Sequence, residues 1–243
     1  MSLFLNASTP YYLHPFAMLL SLFFTAPMLA IVWLTALIIA LTVHEFSHAI
    51  VGKLRGDDTA EKFGRLSLNP LAHIDPLGFL MLITIGFGWA KPVPFDPQNL
   101  KHPLKDGLLI ALAGPAANLI MAAIAAGLFQ GFLLTGFVRL DTMLGAFLVI
   151  SVLVNLLLAL FNLIPVHPLD GSKLVDVVTY RTGYEWISRW LMINGPRIML
   201  VLVMISIMTS FDPFFFIQIP AYFGCDQLLG ASCNTLLGMY FGG

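Results

Sequence analysis

The chain has 243 residues, of which 58% are hydrophobic and 10% charged, with a mean hydropathy of +0.89. A soluble domain carries about 25% charged residues, so this composition excludes an ordinary cytosolic domain, a disordered chain and a nucleic-acid binder, which needs a basic surface. The net charge of −1 points to no partner, and two cysteines are too few for a disulfide scaffold or a zinc ribbon.

The first apolar run, residues 11–24, is short for a membrane span. It reads as an interfacial lead-in, with an extra span as the alternative. Residues 28–52 are long enough to cross: at 1.5 Å per residue they make a helix of about 37 Å, against a hydrocarbon core of about 30 Å. Pro27 suits a first helical position, and Lys53 and Arg55 follow the end. Residues 77–90 form a shorter apolar run with Gly78, Gly86 and Gly88, ending in Lys91-Pro92-Val93-Pro94. Such a segment is tolerated at membrane depth only beside protein or water, so a re-entrant or bent element is expected near 77–95. Pro92 and Pro94 leave either an extended edge or a plain loop there. Spans follow at about 107–134, 143–164 and 191–210, with Gly195-Pro196 disturbing the start of the last. In the tail, Pro213 and Pro220 are expected to interrupt the chain before a short helix at 227–241.

The fold class is therefore an all-α polytopic membrane protein of five to six transmembrane helices. It reads as one membrane-embedded domain over 1–243, with a core at about 28–190 and C-terminal helices and tail at about 191–243. Lys and Arg orient it: 53–107 holds seven and 165–190 three, while 1–27 and 198–243 hold none. Basic loops face the cytoplasm. The N-terminus, residues 135–142 around Arg139, and the tail are then outside, apart from residues 1–10 if an extra span exists.

The chemistry lies in His44-Glu45-Phe46-Ser47-His48, an HExxH motif. Positions i and i+4 share one helix face, so two imidazoles can grip one Zn²⁺ while Glu45 stands beside them as a general base. A chance pattern would have to place three ionisable groups in hydrocarbon, where each is costly. Two histidines need a third protein ligand. Asp170 is the best candidate, because it follows the 143–164 span at the same membrane end as His48. The alternative for Asp170 is a helix N-cap.

These segments together resemble the site-2 protease family of intramembrane zinc metalloproteases. His44–His48 is similar to its zinc motif, and Asn162 through Asp170-Gly171 to its NxxPxxxxDG motif, whose aspartate is the third ligand. Segments 65–70, 73–78, 90–94 and 113–118 also resemble family segments, in the family's order. The resemblance covers about 28–200 and is to the compact branch, without a PDZ or CBS domain. It implies one zinc per chain held by His44, His48 and Asp170, with Glu45 catalytic. It also implies a transmembrane protein as substrate, a prokaryotic inner membrane as the location, and a site nearer the cytoplasmic side. Asn162 would support substrate or the oxyanion; a helix–helix hydrogen bond is the equal alternative. Asn118, among small residues, reads first as packing and second as substrate support.

His167 departs from the family pattern, either as an extra proton carrier or ligand or as a boundary residue without a catalytic part. His73 and His102 read as loop residues, and His14 has no evident partner. Gly127 and Gly131 match GxxxG but leave the oligomeric state open. A zinc permease and a silent relative that binds membrane proteins are the rival functions; Glu45 in one compact cluster speaks against the first, and the intact His44–His48 motif with Asp170 against the second. Cys225 and Cys233 lie on the oxidising side with Gly224 and Gly230 close by, so a bridge is expected. A continuous helix would instead hold them about 12 Å apart as free thiols.

Overall fold

The computed structural model describes residues 22–85, 87–137, 142–209 and 211–241. Most of the 11–24 lead-in, His14 and Arg139 lie outside the described residues. Nine α-helices are described: α1 (Pro27–Leu54), α2 (Thr59–Lys62), α3 (Pro76–Ile85), α4 (Pro103–Leu134), α5 (Met143–Asn162), α6 (Ser172–Thr179), α7 (Glu185–Met208), α8 (Phe215–Leu229) and α9 (Cys233–Phe241). Four of them, α1, α4, α5 and α7, are long and apolar enough to cross a membrane. The remaining apolar elements are shorter helices, and the possible extra N-terminal span lies outside the described residues.

The core is α1, α4 and α5 packed on one another, with α8 and α9 against α5. Alanines make this close: Ala36 and Ala40 of α1, Ala122, Ala125 and Ala126 of α4, and Ala146 of α5 are all buried in one cluster. Small side chains let helix backbones approach where no hydrophobic effect drives association. The up-down-up order of α1, α4 and α5 follows from their connections. It brings the C-terminus of α1, the N-terminus of α4 and the C-terminus of α5 to one end.

That end is knotted by Asp57, whose side chain is 1% exposed. Its carboxylate accepts from Thr59 N and Thr59 Oγ1, from Asp96 N at 2.8 Å and from Asn99 Nδ2 at 2.8 Å. The chain leaving α1 is thus fastened to the chain entering α4. Burial alone would raise the Asp57 carboxyl, but the hydrogen bonds from Thr59, Asn99 and Asp96 outweigh it and hold the pKa below its ordinary value.

The 77–95 segment leaves and returns. Helix α3 runs out, and the chain comes back to pair Ala90 with Ile74 in an antiparallel bridge. Gly78 permits this, because a Cβ there would strike the carbonyl of Trp89. Lys91 N donates to His73 O at 2.8 Å, and Arg65 Nη2 donates to Lys91 O. The return is therefore a fixed hairpin, with residues 92–96 extended or irregular beyond it.

Two proline expectations are corrected. Helix α7 begins at Glu185 and runs through Pro196, and α8 runs through Pro220. In each, a buried stripe outweighs the lost hydrogen bond: Gly195, Met199 and Val203 in α7, and Ile217, Ala221, Cys225 and Leu229 in α8. The tail breaks at Gly230 instead, where φ is +68°. The expected 227–241 helix is thus two helices, joined by a Cys225–Cys233 disulfide with Cα atoms 5.8 Å apart.

Candidate metal centre

His44 and His48 stand on adjacent turns of α1, both buried, and their ring centroids are 4.6 Å apart. Asp170 comes from the 163–171 loop. Its entry is set by Gly171 N, which donates to Asn162 O at 2.7 Å and folds the loop back onto the end of α5. Asp170 Oδ2 then lies 3.1 Å from His44 Nε2 and 3.3 Å from His48 Nε2. A tetrahedral zinc with ligand bonds near 2.0–2.2 Å separates its ligand atoms by about 3.3 Å. Among the described residues these three form the one such group of potential metal ligands.

The hydrogen bonds behind the imidazoles decide what the centre accepts. His48 Nδ1 faces Ile110 O at 2.7 Å. A carbonyl only accepts, so Nδ1 carries the proton. His44 Nδ1 is 2.6 Å from Asn118 Oδ1. The amide nitrogen of Asn118 donates to Asn155 Oδ1 at 2.8 Å and to Ala40 O at 3.3 Å, which turns its oxygen toward His44. Both Nε2 atoms therefore present lone pairs to a carboxylate oxygen. Three acceptors converge, which is stable only around a cation. The donor set of two neutral imidazoles and one carboxylate suits zinc.

Gly114 completes the cradle. A Cβ there would lie 2.5 Å from His48 Nε2 and 2.6 Å from His44 Nε2. Only a glycine lets α4 pass this close to both rings.

Glu45 projects from α1 between the two histidines in sequence. It is buried, and its carboxylate makes no hydrogen bond among the described residues. Arg65 is close enough for Glu45 to act on its guanidinium. Burial pushes the Arg65 pKa down, and the Glu45 charge opposes this.

Asn118 is not placed at a substrate surface. It is fully buried and orients His44. Asn162 donates from its side chain to Leu158 O of its own helix and, through its carbonyl, ties down the loop of Asp170. That bond is within α5, not between helices. His167 is not part of the three-ligand group; its Nε2 lies 3.6 Å from Asp176 Oδ1. Asp176 also accepts from Lys173 and Ser188. Among residues the sequence reading passed over, Ile110 acts through its carbonyl, which no side-chain pattern reveals. Asn155 left a usable signal: it is an amide in an otherwise apolar stretch of α5.

No family model and no solved structure matches the chain. Two curated proteins do, "Putative zinc metalloprotease YwhC" of Bacillus subtilis (strain 168) and "Putative zinc metalloprotease Rip2" of Mycolicibacterium smegmatis. The first is 43% identical over 145 residues, covering 58% of this chain and 65% of that protein. The second is 35% identical over 100 residues, covering 39% of this chain and 38% of that protein. The match thus spans less than two thirds of either relative's own length. Over part of its length, the chain is homologous to two bacterial proteins named as zinc metalloproteases.

Proposed function

We propose that the chain is an intramembrane zinc metalloprotease that hydrolyses a peptide bond within or near a transmembrane segment of another protein. The observation that carries this reading is the convergence of two Nε2 lone pairs and the Asp170 carboxylate, with Glu45 next to His44 on the same buried stretch of α1. His44, His48 and Asp170 would hold one zinc per chain. When bound, zinc supplies Lewis acidity and brings the pKa of a bound water to about 7. Glu45 takes a proton from the attacking water and returns it to the leaving amine. Asn118 and Ile110 keep both imidazoles in one tautomer throughout. Asn162 remains a candidate for substrate support through its amide oxygen.

The site sits at the end of α1 that carries Lys53 and Arg55, which supports a cytoplasmic-side centre in a bacterial inner membrane. Bacterial relatives fit that location. A substrate helix must unwind to present its carbonyl, so helix-breaking residues near the scissile bond promote cleavage. A permease needs ligands along a path, whereas the described residues hold one compact group.

The test is Glu45→Gln. Purified variant should retain zinc and fold, while cleavage of membrane proteins, read by comparative proteomics of membrane fragments, falls about 10²–10⁴-fold. Unchanged cleavage refutes the mechanism.

A further inference from the structure

A cavity of about 100 Å³ lies between α1 and the 76–90 hairpin. Ile38, Leu41 and Thr42 form one wall; Phe79, Leu82 and Trp89 form the opposite one. Leu41 is one turn and Ile38 two turns before Glu45, on the same face of α1. Leu41 is thus about 6 Å along the helix axis from the catalytic carboxylate's residue, a distance that an extended chain covers in two residues. The indole wall is fixed by backbone, since a Cβ on Gly78 would come within 3.0 Å of the Trp89 ring.

One polar group at this apolar cavity has no partner. His73 lines it and is 2% exposed. Its Nε2 lies 2.7 Å from Ser67 O, so Nε2 carries the proton and Nδ1 is an acceptor. Among the described residues Nδ1 is buried without a hydrogen bond. An unwound membrane segment has the opposite deficit, namely backbone N–H groups with no water to accept them.

We propose that this cavity is the pocket for the apolar side chain beside the scissile bond of the substrate, and that His73 Nδ1 accepts the backbone N–H of the residue filling it. The proposal rests on the protease reading above and adds a specificity determinant to it. The pocket takes a branched aliphatic side chain and discriminates against both alanine-sized and bicyclic ones.

The probes are peptidyl hydroxamates, which chelate zinc, carrying a methyl, isobutyl or naphthylmethyl side chain next to the chelating group. Binding to the zinc-loaded full chain in detergent is read by calorimetry. Wild type should prefer isobutyl over methyl by about tenfold or more. Leu41→Trp, which fills the cavity, should bring that ratio near one; Leu82→Ala, which enlarges it, should shift the preference to naphthylmethyl. N-methylation of the pocket residue's amide should cost about tenfold in wild type and clearly less in His73→Leu. Hydroxamates that bind with a ratio of one in wild type, or with ratios unmoved by both cavity variants, overturn the pocket while leaving the zinc centre standing. Failure of every hydroxamate to bind the zinc-loaded chain overturns the zinc reading and the pocket with it.

Discussion

Helices α5 and α7 are both long and apolar, yet they live in different surroundings. In its most apolar stretch α5 is 67% buried, whereas α7 is 22% buried. Helix α5 is gripped on several faces by α1, α4, α8 and α9 and carries Asn155 at the back of the metal centre. Helix α7 leans on the end of α5 through Met199 and Val203, and leaves Leu200, Met204 and Ile207 outside. Hydropathy alone does not separate a helix that builds a site from one that faces lipid. A buried amide does.

That contrast predicts a steep ranking of substitutions. The largest effect belongs to Gly114→Val on α4, where the new side chain must displace both imidazoles. Zinc content measured by mass spectrometry should fall close to zero, with helical circular dichroism largely kept. Full zinc in this variant breaks the idea that the rigid region is built around the metal.

Next is the knot that fastens α1 to α4. Asp57→Ala leaves its donors without their acceptor and should destabilise the fold by about 2–3 kcal/mol, read by thermal unfolding in detergent. The same contact sets a pH dependence. Because the folded-state pKa of Asp57 is lowered, its contribution is fully present above the unfolded value, about 4. It is lost as pH falls through the folded value. Wild type should therefore lose stability on acidification below about pH 4, and Asp57→Ala should lose less over the same interval.

Asn118→Leu tests the buried amide itself. It removes the acceptor of His44 Nδ1 and should weaken zinc binding about 10–100-fold in competition with a chelator. The smallest effect is expected on α7, where Leu200→Ala at the exposed face should change stability by no more than about 0.5 kcal/mol. A loss as large as that of Asp57→Ala would erase the contrast between the two helices.

The His44, His48 and Asp170 cluster was legible in the sequence because two of its members are four residues apart on one helix face and the third follows the end of a span that packs beside them. A re-entrant or bent element near 77–95 was legible from glycines and prolines in a run too short to cross, whereas the pairing of Ala90 with Ile74 was not. The role of Asn118 was not, since its partner His44 is 74 residues away and close packing explains a small-residue segment equally well. The helices through Pro196 and Pro220 were missed because local propensity says break. The opposing buried stripes acquire their weight only once α5 is in place.

The disulfide at the far end of the chain also bears on biogenesis. Cys225 and Cys233 are both fully buried against the core, in α8 and α9, which follow the four long apolar helices. On the proposed orientation they reach an oxidising compartment only after every preceding span has been threaded. Bond formation then marks insertion of the four long helices that precede it. Resistance of these two thiols to alkylation would act as a timestamp, separating molecules whose four long helices have been threaded from those in which one is still outside the bilayer.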